Sequence, residues 1–284
     1  MQQVARVALT DTHCHLNMER FDADRESVIG RASGAGVSHM LVPALDLDSA
    51  RRILDLTAEH SCLYAAVGFH PTEIQSLRAS SMAALKRIAA EGKVVAIGEI
   101  GLDYYWVTEK ARRIEQRVGL RSQLDLAEQC GLPAILHMRE QADADRGACA
   151  DDMLTILEDW SRRLRAAGSP VADRPGVLHS FAGTLETAAT VIDLGFYIGV
   201  TGPITYASAE KRRQLVRQLP LERLLIETDS PFLAPQQQRG RRNEPAFVAY
   251  IADKIAEVQS RTPSEVADAT SSNAARLFAW GKPD

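Results

Sequence analysis

A chain of 284 residues, 45% of them hydrophobic, can bury one large α/β core or two small ones. Its formal net charge of −4 excludes a surface coated in basic groups, so contact with nucleic acid has to come from a local patch. No apolar run reaches the length of a signal segment or a membrane span, and Cys14, Cys62, Cys130 and Cys149 are scattered without CxxC spacing, so the expectation is a cytoplasmic protein with reduced thiols and no membrane contact.

Along the chain, apolar strand-like runs alternate with helical stretches in eight pairs. The expected strands are Val7–Asp11, Val37–Pro43, Leu63–Gly68, Val94–Glu99, Pro133–His137, Gly176–His179, Phe196–Thr201 and Leu224–Asp229. Amphipathic helices such as Ser49–His60, Met82–Glu91, Arg113–Cys130, Asp151–Ala167, Leu185–Leu194 and Glu210–Leu219 lie between them. Glu244–Gln259 is the expected eighth helix, and Ser264–Ala279 an appended C-terminal one. Gly36, Gly92, Gly131 and Gly195 stand where helices should end before strands. Strands alternating with helices imply parallel βαβ units, and eight of them predict a (β/α)8 TIM barrel in a single domain spanning 1–284. A doubly wound open sheet competes, but no glycine-rich dinucleotide turn follows the first strand.

In that fold the active groups collect at the C-terminal ends of strands. His13 and His15 end the first expected strand, His70 the third, Glu99 the fourth, His137 the fifth, His179 the sixth and Asp229 the eighth. Five of the seven histidines therefore fall at one rim. His39 and His60 fall elsewhere and read as structural or solvated. On an extended strand Asp11, His13 and His15 project together, and two imidazoles two residues apart can grip one divalent cation.

The motifs DTHCH, GFHP, GEIGLDYY, LHMR, LHSF, ETDSP and RGRRNEP occur in that order from Asp11 onward. Together they resemble the TatD family of metal-dependent deoxyribonucleases, within the amidohydrolase superfamily. The resemblance implies a two-metal phosphodiesterase site, with His13, His15 and Asp229 holding one ion, His137 and His179 the other, and Glu99 bridging them. It also implies action on DNA from a 3′ end. A carboxylate suits the bridge because each oxygen can serve one ion. Two such ions clamp both the attacking and the leaving oxygen of a phosphodiester. Asp229 is placed to take a proton from water as general base. His70 reads either as a contact to the scissile phosphate, or a proton carrier, or as a side chain packed under Pro71. The metal is Mg, Mn or Zn, since imidazole suits the last two and phosphodiester chemistry the first.

Around these groups, Asp103 either orients a ligand histidine or caps the turn after the fourth strand. Arg139 and the run Arg239, Arg241 and Arg242 are the expected contacts to phosphate. Arg112, Arg113, Arg117 and Arg121 recur along helix four as an outer, solvated face. Phe69, Tyr104, Tyr105, Trp106, Phe181 and Phe232 are the aromatic candidates for stacking on an unpaired base, with packing beneath a loop as the alternative for Tyr104–Trp106. The chain departs from the family pattern at Asn17, at Gln236–Gln238 and in a lengthened, flexible loop over Gln141–Cys149. The expected substrate is single-stranded DNA or frayed 3′ ends, with RNA a further substrate, acted on by a monomer. A lactonase- or amidase-like hydrolase using the same ions, and a catalytically idle metal-binding scaffold, are the competing readings.

Overall fold

The computed structural model describes residues 8–280. Eight strands follow one another in one sheet, in the order β1-β2-β3-β4-β5-β6-β7-β8. They are β1 Leu9–Asp11, β2 Val37–Pro43, β3 Leu63–Val67, β4 Val94–Asp103, β5 Ala134–Arg139, β6 Gly176–Leu178, β7 Tyr197–Val200 and β8 Leu224–Ile226. The helices are α1 Arg25–Gly34, α2 Leu47–Glu59, α3 Ala79–Ile88, α4 Lys110–Cys130, α5 Ala148–Ala166, α6 Leu185–Asp193, α7 Glu210–Gln218, α8 Val248–Gln259 and α9 Pro263–Phe278. This is the (β/α)8 architecture, with α9 as the extra C-terminal helix. Val7, where the first strand is expected to open, lies outside the described residues.

The chain divides into two compact units, Val42–Gly199 and the described part of Met1–Leu41 with Val200–Asp284. In the Val42–Gly199 unit, β4 pairs in parallel with β3 and β5, and β6 with β5 and β7. Every residue of β4 is buried, as a parallel strand covered on both faces requires. Helix α2 starts on a reciprocal cap: Ser49 N–H donates to Asp46 Oδ1 at 2.7 Å, and Asp46 N–H to Ser49 Oγ at 2.9 Å. Helix α5 lays Met153, Ile156, Leu157 and Trp160 into the core. Two buried glutamines of α4 then fix the loops that follow β3 and β4. Gln123 accepts from Phe69 N–H at 2.7 Å and donates to Phe69 C=O at 3.1 Å. Gln116 accepts from Asp103 N–H at 3.1 Å and donates to Pro71 C=O at 3.1 Å.

In the other unit, β1 pairs with β2, and the eighth strand lies against the first. Thr12 N–H donates to Ile226 C=O at 3.2 Å, and Cys14 pairs in parallel with Ser230. That β8-to-β1 contact is how a (β/α)8 barrel closes. Helix α9 opens on a Thr262–Glu265 capping box with Pro263 at its first position. Its buried Asn273 donates to the carbonyls of Leu221 and Leu224, both at 2.9 Å, holding the entry to β8.

Several local expectations change. Strand β4 runs past Glu99 to Asp103, while β8 stops at Ile226, because Asp229 has a φ of +55° and Pro231 has no N–H to continue a ladder. Helix α1, absent from the helices named from sequence, buries only Val28, Ile29 and Ala32, so its apolar stripe is thin. The α4 arginines are not simply a solvated face. Arg113 lies 4.3 Å over the Tyr104 ring and donates to the carbonyls of Val107 and Tyr104. Arg117 pairs with Asp152 at 2.7 Å. The expected flexible loop over Gln141–Cys149 is shorter and tied down: α5 begins at Ala148, Cys149 is buried, and Glu140 accepts the Ala150 N–H at 2.7 Å. Arg146 in that loop pairs with Asp151 and Glu186.

Candidate metal centre

In the unit that carries β1 and β8, the chain leaves β1 at Asp11 and presents two buried imidazoles. His13 Nε2 and His15 Nε2 lie 3.3 Å apart, and Asp229 Oδ1 lies 3.4 Å from the second and 3.8 Å from the first. Two donors each bound to one tetrahedral ion at about 2.0–2.1 Å stand roughly 3.3 Å apart, so this triangle has the dimensions of three ligands on one cation. The carboxylate reaches that point because its backbone takes the left-handed conformation, φ +55°, which aspartate tolerates better than most residues. Asp229 N–H donates to His13 C=O at 2.8 Å, tying the two segments together.

Asp11 does not join the triangle, contrary to its expected projection beside His13 and His15. Its Oδ1 accepts from Thr228 N–H at 2.9 Å and its Oδ2 from Thr228 Oγ1–H at 2.6 Å, so both oxygens clamp the end of β8. Burial pushes its pKa up to about 8, although the Thr228 hydrogen bonds favour the carboxylate. Asn243 completes the clamp from outside. It is fully buried, donates to Thr228 C=O at 2.8 Å and to Phe232 C=O at 2.6 Å, and accepts from Glu244 N–H at 3.0 Å. Read from sequence only as part of a charged run, Asn243 fixes the backbone on both sides of Asp229.

The Val42–Gly199 unit holds the second set. Glu99 sits where the β4–β5 register shifts between Ile97 and Ile100, a bulge that re-aims a side chain. Its Oε1 lies 2.8 Å from His137 Nδ1, 2.9 Å from His179 Nε2 and 3.6 Å from His70 Nε2. His179 Nε2 and His137 Nδ1 are themselves 3.4 Å apart. His70, not among the expected ligands, is thus brought to the Glu99 set. Its Nδ1 accepts from Thr72 N–H at 3.2 Å, which turns Nε2 toward Glu99. His70, Glu99 and His137 form one group that could hold an ion.

Asp103 does both things expected of it as alternatives. Its Oδ2 lies 3.0 Å from His137 Nε2, and its Oδ1 accepts from Trp106 N–H at 2.8 Å across the turn. Burial works against ionisation of Asp103, but the hydrogen bond and charge of His137 outweigh it and hold the carboxyl below its usual range. For His137 burial opposes the charged ring, and the hydrogen bonds to Asp103 and Glu99 outweigh it, so its pKa rises. With Nε2–H donated to Asp103, the other ring nitrogen faces a carboxylate oxygen at 2.8 Å. A lone pair set against a carboxylate is unfavourable unless a proton or a cation lies between them. Carboxylate holding the far N–H of a ligand histidine is the common support of metal-binding imidazole. The donor set fits a divalent cation, and of the candidate metals its nitrogens favour zinc or manganese.

The expected phosphate contacts are differently placed. Arg242 makes a two-pronged pair with Asp24 at 2.8 and 2.7 Å and lies over Phe21, so its charge is already engaged. Arg239 lies 4.4 Å over the Tyr206 ring. Arg241 makes no ion pair with any described residue and lines a shallow surface pocket with Tyr206 and Pro231. Arg139 is paired with Asp143 at 2.9 Å and stacked 3.9 Å over Tyr105. Of the aromatic candidates, Phe69, Tyr104 and Phe181 are buried. Trp106 is exposed, and so is Phe232, whose ring lies 6.2 Å from that of His15.

Residues 10–279 match the profile of the family described as TatD related DNase. The chain is 39% identical over 270 residues to the Bacillus subtilis protein named uncharacterized metal-dependent hydrolase YabD, covering 95% of this chain and 98% of that protein. It is 33% identical over 276 residues to a Cronobacter sakazakii protein named 3′-5′ ssDNA/RNA exonuclease TatD, covering 94% and 97%. Among solved structures, the Escherichia coli TatD homologue YjjV superposes with a TM-score of 0.84 at 34% identity, covering 95% and 98%.

Proposed function

Because the chain belongs to the TatD-related family of metal-dependent hydrolases, we propose that it is a divalent-metal-dependent exonuclease that trims single-stranded or frayed nucleic acid from the 3′ end. The observation that carries this reading is the pair of donor sets: His13–His15–Asp229 and His137–His179–Glu99, each spaced for one cation. The polarity and the single-stranded substrate are supported by the name of the Cronobacter relative.

Bound cations would supply Lewis acidity, polarising the phosphoryl oxygens and acidifying water. In hydrolysis a water oxygen forms the new bond to phosphorus while the bond from phosphorus to the departing sugar oxygen breaks. Asp229 takes the water's proton as general base, and the departing oxygen is protonated by solvent. Asp103 keeps a proton on His137 Nε2 and so presents Nδ1 as donor. His70, held through Thr72, turns Nε2 inward to contact the phosphate or carry a proton. Glu99, on whose Oε1 the imidazoles of His137 and His179 converge, would help hold the ion of that set. Arg241, whose guanidinium is not consumed by an ion pair among the described residues, is the favoured backbone contact of the basic run.

The test uses purified protein, a 3′-labelled and a 5′-labelled single strand, a covalently closed circle and a lactone panel, with and without chelator. Stepwise loss from the 3′ end that chelator abolishes, with the circle spared, supports the reading. Rapid nicking of the circle overturns end recognition. Lactone turnover without DNA cleavage makes the chain a small-molecule hydrolase instead.

A further inference from the structure

Trp106 is the most exposed large apolar side chain among the described residues, at 66%. A single exposed apolar residue needs no explanation by itself. This one stands in a group of three planar side chains with fixed backbones. The rings of Tyr105 and Trp106 meet edge to face, with centroids 4.9 Å apart. The guanidinium of Arg139 lies 3.9 Å from the Tyr105 centroid and 5.8 Å from that of Trp106. Tyr104 N–H donates to Arg139 C=O at 2.8 Å, and Trp106 N–H donates to Asp103 Oδ1 at 2.8 Å.

The same backbone places this group relative to the donor set. In the β4–β5 ladder Gly101 faces His137 and Asp103 faces Arg139. Gly101 is required there, because any Cβ would strike the His137 carbonyl at a φ of +147°. Arg139 therefore follows the ligand histidine by two strand residues, about 6.6 Å along the chain direction. Asp103 is the fork between the two: one oxygen serves His137 and the other the Trp106 turn.

We propose that Trp106, flanked by Tyr105 and Arg139, is the stacking platform for an unpaired base beside the phosphodiester to be cut. The indole offers a π-face that any base can cover, and Arg139, paired with Asp143 at 2.9 Å and stacked on Tyr105, braces the platform. A base inside a duplex has both faces stacked on its neighbours, so bases behind the terminus reach the platform only in single strands and frayed ends. This rests on the nuclease reading above and adds the residue that carries its strand preference.

The test compares wild type, Trp106→Ala and Trp106→Phe on single-stranded oligonucleotides carrying either a base or an abasic tetrahydrofuran residue at each of the last three positions. Base-on-aromatic stacking is worth roughly 1–3 kcal/mol, so Trp106→Ala should raise KM about tenfold on the fully based strand. Metal content and kcat should be unchanged, and Trp106→Phe should retain most of the affinity. One abasic position should cost wild type the same factor, and on that strand Trp106→Ala should add no further loss. An unchanged KM for Trp106→Ala on the based strand, or an equal loss on based and abasic strands, overturns the platform. A second measurement needs no cleavage: quenching of intrinsic fluorescence by the same oligonucleotides in chelated protein, with Trp106→Phe as the control. Trp106-dependent quenching, with no cleavage of the same strands once metal is restored, would refute the nuclease and keep the platform. Cleavage without such quenching would refute the platform alone.

Discussion

Replacing Asp103 by Asn keeps size and removes one acceptor. The wild-type carboxylate, 1% exposed, faces two donors, His137 Nε2 at 3.0 Å and Trp106 N–H at 2.8 Å. An amide has one acceptor oxygen. If that oxygen keeps the Trp106 N–H, the amide NH2 points at His137 Nε2, which must then give up its proton and accept. The proton moves to Nδ1, the nitrogen that faces Glu99 and His179, and that nitrogen is lost as a donor to metal. If the amide turns the other way, the partly buried Trp106 N–H is left facing another donor, at a cost of about 1 kcal/mol. Loss of such a supporting carboxylate typically weakens metal affinity or activity about 10- to 100-fold, or roughly 1.4–2.7 kcal/mol. The assay is metal titration of chelated protein against a competing indicator, paired with the rate on a single-stranded oligonucleotide. Asp103→Asn protein that takes up metal with wild-type affinity and cleaves at the wild-type rate would refute the tautomer argument.

Glu99→Ala should lose metal and most activity while remaining folded, since three imidazole nitrogens converge on the oxygen it removes; full metal content by elemental analysis would contradict this. Asn243→Ala strands the carbonyls of Thr228 and Phe232 and should lower stability by roughly 2–3 kcal/mol in urea unfolding, with activity falling as Asp229 loses its anchor. Arg241→Ala should raise KM for DNA and flatten its salt dependence, whereas Arg242→Ala should chiefly lower the urea midpoint slightly through its lost pair with Asp24, read by salt-dependent kinetics and urea unfolding in parallel. Hydrogen bonds from Arg242 hold the Asp24 carboxyl below its ordinary value, so its contribution to stability is present above about pH 4 and is lost as pH falls through the lower folded value. Asp24→Asn should flatten that acid limb of the urea midpoint.

The alternation of strands and helices was legible because the parallel strands are apolar along their length and the helices show one apolar face. The candidate donors were legible for a related reason: a barrel strand announces its C-terminal half, and His13, His15, His179 and Asp229 sit just beyond β1, β6 and β8, while Glu99 and His137 lie inside β4 and β5, which run on to Asp103 and Arg139. Pairings between distant segments were not legible. Asp11 meets Thr228 across 217 residues and Arg242 meets Asp24 across 218, so nothing local told a clamp from a ligand or a salt bridge from a phosphate contact. Asp103 stayed ambiguous because a carboxylate has two oxygens, and the turn and the histidine each take one. Gln116 and Gln123 could not be picked from α4 by periodicity. A buried amide that hydrogen-bonds loop backbone looks, in sequence, like any polar residue on a helix.

The most direct measurement strips the protein with chelator, restores manganese or zinc in steps, and follows bound metal and release of the 3′-terminal nucleotide from a single strand in the same sample. Two donor sets predict that cleavage appears as metal binds and reaches its maximum near two equivalents. Cleavage at full rate in excess chelator, or two equivalents of tightly bound metal with no release of nucleotide, would contradict the account.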